Sequence, residues 1–169
     1  MILSQNITVE KVWQLLENIY DPEIPVLSVI DLGIVRDVHL IKHPSNKEHI
    51  KVVITPTYSG CPAMDVISMN IKMALLQSGF KNSKIIQQLS PAWTTDWMTE
   101  KAKEKLKAYG IAAPLGKSFD KKHLEELKVE CPQCRSKSTR LLSQFGSTAC
   151  KALYQCNDCK EPFDYFKCH

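Results

Sequence analysis

The sequence of 169 residues has no apolar run approaching the roughly 18–20 residues that a membrane-spanning helix needs. Its opening, Met1-Ile2-Leu3-Ser4-Gln5-Asn6, lacks the basic start and apolar core of a secretory signal. The expected setting is therefore the cytoplasm, with no membrane partner and with thiols kept reduced. No Gly-x-Gly-x-x-Gly occurs, which removes a dinucleotide-binding reading. Gly116-Lys117-Ser118 has the ending of a phosphate-binding loop, but Ile111 stands where its first glycine belongs and a helix precedes it instead of a strand. No Glu-x-x-His pair occurs, so the chain cannot supply the di-iron carboxylate set of bundle oxygenases. A dense basic face is missing too. Residues 1–115 hold 12 Lys and Arg against 11 Asp and Glu, and residues 116–169 hold 10 against 7. The net +4 is too mild for a dedicated nucleic-acid binder, so no nucleic-acid partner is expected.

What is present is an ordinary globular composition, 44% hydrophobic, and seven cysteines. Seven is awkward for a closed disulfide set. Only Cys61 lies in the first 130 residues, while Cys131, Cys134, Cys150, Cys156, Cys159 and Cys168 crowd the last 39.

Residues 8–20 read as a helix, because Val9, Val12, Trp13, Leu16, Ile19 and Tyr20 recur at spacings of three and four, with Thr8 as N-cap. Asp21-Pro22-Glu23-Ile24-Pro25 ends it. Residues 34–42 and 50–56 read as strands of an antiparallel hairpin joined by the polar segment 43–48. A helix over 62–78 follows, with Val66, Ile67, Ile71, Ala74 and Leu75 inward and Gly79 at its end. Lys84 to Leu89 is a third strand, parallel to the second, and 97–109 a lysine-rich helix ending at Gly110. The expected organisation is a small α/β domain over 1–112, a linker over 113–129 with a short helix at 120–128, and a separate module over 130–169. That module has little aliphatic material beyond Leu141, Leu142 and Leu153, and so needs a staple.

Cys131-Pro132-Gln133-Cys134 and Cys156-Asn157-Asp158-Cys159 supply one. Two CxxC turns bring four thiolates to one ion, the all-sulfur tetrahedron that zinc prefers, with iron as the other occupant of such a site. The 21 intervening residues slightly exceed the usual spacing, which a two-hairpin zinc ribbon absorbs by lengthening a finger. Assembly of zinc on four thiolates lowers the protein's charge from +4 to about +2. Cys150 and Cys168 are either small packed residues or extra thiolate ligands.

Gly60-Cys61-Pro62 stands out in the first domain. With Pro62 as first helical residue, Cys61 is expected at the N-cap, where the free N–H groups of the first turn favour a thiolate. Thr57, Tyr58 and Ser59 place hydroxyls nearby. The alternative is a small cap residue with no chemistry. His39, His43 and His49 lie on or beside the hairpin, and nothing in the sequence brings one to Cys61, so a cysteine hydrolase is poorly supported. Trp93 and Trp97, in Pro91-Ala92-Trp93-Thr94-Thr95-Asp96-Trp97, follow the third strand, where open α/β sheets bind ligands, or else they pack over a helix start.

Asp21-Pro22-Glu23, Asp31-Leu32-Gly33-Ile34-Val35 and Thr55-Pro56-Thr57 leading to Gly60-Cys61-Pro62 resemble the small SufT-like domain of iron–sulfur cluster assembly factors. Residues 56–64, 91–97, Phe145-Gly146-Ser147-Thr148-Ala149-Cys150-Lys151-Ala152-Leu153 and Glu161-Pro162-Phe163-Asp164-Tyr165-Phe166-Lys167-Cys168 extend the likeness over nearly the whole chain to the D subunits of bacterial phenylacetyl-CoA epoxidase systems. The resemblance implies an α+β or α/β fold: a small mixed-sheet assembly-factor domain with three helices, then a β zinc ribbon. It implies an accessory or maturation subunit of aerobic phenylacetate degradation, not itself an enzyme, with a di-iron oxygenase and a reductase as partner subunits. It implies a transient iron or iron–sulfur cargo, with Cys61 as the transfer thiolate and Asp31 and Thr57 in support. One cysteine cannot hold a cluster that needs four ligands, so a homodimer, an external thiol, or Cys150 and Cys168 must help. The rival expectation is a purely structural subunit of the oxygenase assembly.

Overall fold

A computed structural model describes residues 8–42, 48–115 and 120–167. By packing, the chain divides into two compact units, residues 1–92 and 93–169. This division falls earlier than the motif-based limit at 112. Among the described residues no helix is long and apolar enough to cross a membrane.

In the first unit, α1 (Val9–Leu16) starts at Thr8, whose side chain accepts the Lys11 N–H, and buries Val12 and Leu16. It stops four residues before Tyr20. There Asp21 Oδ1 accepts the N–H groups of Glu23 and Ile24, both at 2.8 Å, and the Asp21 N–H reaches Leu27 O at 2.9 Å. A carboxylate that captures two backbone donors stabilises a turn over another helical turn. Ile19 is still buried, but Tyr20 is exposed.

Strands β1 (Val35–Lys42) and β2 (Glu48–Ile54) pair antiparallel, and β3 (Ser83–Gln87) lies parallel to β2, giving the order β1-β2-β3. The link through His43 lies outside the described residues. The β2–β3 crossover is α2 (Ala63–Gln77), which buries Met64, Ile67, Ile71 and Leu75. Val66, expected inward, is 46% exposed, because the residue before Ile67 sits about 100° round the helix. Ala74 is half-buried.

The second unit begins with a 3₁₀ turn at Thr95–Trp97. Helix α3 (Glu100–Tyr109) starts three residues later than expected, because the Thr99 hydroxyl accepts the Ala102 N–H at 3.0 Å, and it ends on Gly110 at φ 92°. A short α4 (Lys121–Glu126) is capped by Asp120. Strands β4 (Thr139–Ser143), β5 (Lys151–Cys156) and β6 (Pro162–Phe166) form an antiparallel sheet in that order. The tail is not without a core. Tyr154 stacks on Phe163 at 6.0 Å and meets Tyr165 edge-on at 5.6 Å. Leu124, Val129 and Ala112, from the segment expected to be domain end and linker, join that core. Each buried phenol is satisfied: Tyr154 donates to Leu124 O at 2.6 Å, and Tyr165 binds the backbone of Leu115. Trp93 is buried edge-on to Phe166 at 6.1 Å, so it is a packing residue of this unit.

The division sharpens the charge distribution. Residues 1–92 hold 8 Lys and Arg against 8 Asp and Glu, and residues 93–169 hold 14 against 10. The whole excess belongs to the second unit.

Gly146 sits where the β4–β5 connection returns. A Cβ there would run into the Asp164 carboxylate and lie 3.3 Å from the Ala152 backbone. Asp164 cannot easily withdraw, since Ser147 donates to it twice and the buried Lys151 ammonium is 3.7 Å away. Gly146→Ala should therefore destabilise the second unit by about 1–3 kcal/mol, read as a lowered urea midpoint.

Candidate functional site

The ribbon brings its four CxxC sulfurs together. Cys131 and Cys159 Sγ are 3.7 Å apart, Cys134 and Cys156 Sγ 3.5 Å, and all four lie within 4.8 Å of one another. A tetrahedron with metal–sulfur bonds of about 2.3 Å has edges of about 3.8 Å, so the set fits zinc. Cys131 and Cys156 are buried against the aromatic core, while Cys134 and Cys159 are exposed.

Both knuckles turn through a residue at positive φ just after their second cysteine, Arg135 at 62° and Lys160 at 67°. The turns aim backbone N–H groups at sulfur: Ser136 at Cys134, Glu161 at Cys159, and Cys159 and Asp158 at Cys156. Burial pushes the Cys156 thiol up, but these donors and the neighbouring thiols outweigh it and bring it down to about 7. Cys156 is thus the readiest of the group to give up its proton to a divalent ion, while the neighbouring thiols hold Cys134 and Cys159 above the ordinary range despite their backbone donors.

Cys150 is not part of this group. It is buried, with its sulfur 3.0 Å from the Thr148 hydroxyl, and its carbonyl accepts the Lys167 N–H. Cys168 lies outside the described residues.

Cys61 lies in the loop between β2 and α2. Pro62, at φ −68° and ψ −22°, takes the N-cap position, so Cys61 stands one residue earlier than expected. Its carbonyl still accepts the Met64 N–H, and its own N–H reaches Tyr58 O. The thiolate expectation is reversed. Burial of the half-buried sulfur raises its pKa, the Ala63 N–H and the Tyr58 side chain lower it less, and the charges of Glu23 and Asp21 add to the rise. The thiol is therefore protonated at neutral pH. The helix N-terminus loses because burial of the sulfur outweighs the Ala63 N–H that the first turn offers it.

Other expected members sit differently. Asp31 is buried and closes a turn with Ser28: its Oδ2 accepts the Ser28 N–H, and its N–H reaches the Ser28 hydroxyl, both at 3.0 Å. Thr57 is half-buried in the Cys61 loop, and the neighbouring Thr55 hydroxyl is buried without a hydrogen-bond partner. His39 pairs with Asp37 at 3.0 Å. Sequence reasoning overlooked Asp21 and Glu23 as electrostatic partners of the thiol, although Asp21-Pro22-Glu23 stands out as a motif. Among the described residues the four-cysteine group is the only cluster of three or more metal-ligating side chains.

A mixed three-stranded domain with a cysteine at its crossover loop, followed by a four-cysteine ribbon, defines a class: an iron–sulfur assembly-type domain carrying a zinc module. Residues 9–83 match the family described as iron-sulfur cluster assembly protein, and residues 116–167 match the PaaD zinc beta ribbon domain. The chain belongs to the family of the D subunits of 1,2-phenylacetyl-CoA epoxidase. It is 51% identical over 160 residues to the putative D subunit of that epoxidase from Escherichia coli (strain K12), covering 95% of this chain and 93% of the relative. It is 35% identical over 96 residues, 56% of this chain and 87% of the relative, to an Fe-S protein maturation auxiliary factor of Porphyromonas gingivalis. Among solved structures, a DUF59 domain from Bacillus anthracis aligns at TM-score 0.52 and 25% identity, covering 57% of this chain and 89% of that one. A conserved hypothetical protein from Thermotoga maritima aligns at TM-score 0.51 and 28% identity, covering 62% and 98%.

Proposed function

We propose that this chain is a non-catalytic maturation component of a phenylacetyl-CoA epoxidase system, carrying iron or an iron–sulfur unit to the oxygenase or reductase subunits. The observation that carries the reading is Cys61, a half-buried thiol beside the negative charges of Glu23 and Asp21, within a domain matched to cluster assembly proteins. A thiol kept protonated by burial, with two carboxylates adding to the effect, is a poor nucleophile but a suitable temporary ligand. An arriving cation offsets the acids, and the thiol yields its proton as the metal–sulfur bond forms. Competition from that proton keeps the hold weak, which suits delivery over storage. Thr57 borders the loop. Asp31 supports the site at one remove, by fixing the turn that leads into β1. Cys61 provides one of the four ligands a cluster needs, so the remainder come from a second copy or from the client.

Zinc in the ribbon would be held by Cys131, Cys134, Cys156 and Cys159, and its role there is structural: it ties two turns at the edge of an aromatic core. A scaffold role within the oxygenase assembly is the second reading. Val66, Met69, Met73 and Leu76 favour it, since they leave an exposed apolar stripe along α2 suited to a protein partner.

Metal analysis after anaerobic purification separates the two. The maturation reading expects one zinc plus substoichiometric iron in the unaltered chain, and zinc alone in Cys61→Ser. Equal iron in both proteins would leave the scaffold reading standing.

A further inference from the structure

The second unit contains a cavity of about 830 Å³ that neither the maturation nor the scaffold role uses. It lies within the range of small-molecule sites, roughly 300–1,000 Å³. Four cations line it: Lys107 at the end of α3, Lys128 after α4, Arg135 in the first zinc knuckle and Lys137 beyond it. Glu130 is the one acid in the lining. Among the described residues none of the four cations makes an ion pair. The remaining wall is apolar, with Ala112, Leu115, Val129 and Pro132. All these residues belong to the unit that holds the protein's entire positive excess.

Part of this charge balances the zinc centre, whose four thiolates and one dication sum to −2. Two cations would suffice for that, which Arg135 and Lys137 supply from the first knuckle, and Lys107 stands 24 residues before that knuckle. A concave wall with a four-to-one excess of cations focuses a positive field on whatever occupies the hollow. The combination of an apolar wall with a guanidinium and three ammonium groups matches a ring system bearing phosphates. A guanidinium takes a phosphate through two parallel hydrogen bonds, and ammonium groups take it as point charges.

We propose that this cavity binds a phosphorylated nucleotide moiety, free or as the nucleotide portion of a coenzyme A thioester. A flat acidic protein surface would not need the hollow, and inorganic phosphate would leave the apolar wall uncovered. The proposal is independent of Cys61, which lies in the other unit.

The test is calorimetric titration of the zinc-loaded full chain with ADP, ATP, coenzyme A and inorganic phosphate, with a glutamate-rich peptide of matched charge as competitor class. The nucleotides should bind, and more weakly as salt is raised. Arg135→Gly is the informative variant, because glycine adopts φ 62° freely and keeps the knuckle while removing the guanidinium. Combined with Lys128→Gln it should weaken nucleotide binding by about tenfold or more, with zinc content unchanged. Lys81→Gln, in the first unit, should change nothing. Tighter binding of coenzyme A than of ADP identifies the thioester as the source, and equal binding identifies the free nucleotide. No nucleotide binding at about 1 mM, binding indifferent to the Arg135 and Lys128 changes, or stronger binding of the acidic peptide would each overturn the proposal.

Discussion

Cys156→Ser should abolish zinc binding and unfold the second unit. Cys156 is fully buried and counts both as a ligand and as a member of the aromatic core. A serine hydroxyl is a much poorer zinc ligand than a thiolate, and it would be buried where three other cysteines converge. Structural zinc on four ligands contributes about 10–16 kcal/mol of apparent binding free energy at neutral pH, all of it available only to the folded form. A domain of this size is typically stable by about 5–15 kcal/mol in total, so loss of the metal removes most or all of the margin. The near-ultraviolet signal of Tyr154 and Tyr165 should disappear, and zinc should fall from one per chain to a trace. A strong chelator should do the same to the unaltered protein. If the tyrosine signal and the melting temperature survive without zinc, the aromatic core holds the unit alone and the staple argument fails.

That outcome bears on what the sequence made legible. The strand–helix–strand unit over residues 48–87 could be read from periodicity, because each element is long, apolar on one face and bounded by turn residues. The CxxC pairs could be read from spacing alone, since metal ligation is a constraint on sequence separation. The second unit's core could not. It is built from Phe163 and from Tyr154 and Tyr165, whose hydroxyls would suit a surface strand, together with Leu124 and Val129 from a segment of linker-like composition. Their burial depends on hydrogen bonds to Leu124 O and the Leu115 backbone, and such long-range partners leave no local trace. The same limit applies at Cys61. The Gly-Cys-Pro pattern placed a sulfur near a helix start, within one residue of where it stands. The sign of the thiol's shift depended on burial and on two acids about 40 residues earlier in the chain. Local patterns locate such a group, but its chemistry is set by what folds against it.

For Cys61 the expected result is a slow thiol with a steep pH profile. Iodoacetamide reacts with the thiolate, so the alkylation rate follows the deprotonated fraction. Burial first, then the Glu23 and Asp21 charges, hold the thiol above its ordinary range despite the Ala63 N–H and the Tyr58 side chain. At pH 7 the rate at Cys61, followed by mass spectrometry of its peptide, should lie at least about a hundredfold below its alkaline plateau. Glu23→Gln removes one negative neighbour and therefore lowers the thiol pKa, moving the profile to lower pH. The rate near pH 8 should rise about threefold. Glu23 is the cleaner choice, because Asp21 also fixes the turn through the Glu23 and Ile24 N–H groups, and the Asp21→Asn side chain would be a weaker acceptor. In Glu23→Gln an arriving cation loses one of the two carboxylates near Cys61, so iron retention should fall even as the thiol becomes more reactive. That divergence distinguishes a carrier from a nucleophile. An activated nucleophile would titrate near neutrality in the unaltered protein, and its function would improve with its reactivity. A half-maximal alkylation rate at or below pH 7.5, or iron retention that rises in Glu23→Gln, would show Cys61 to be a reactive thiolate and remove the carrier mechanism.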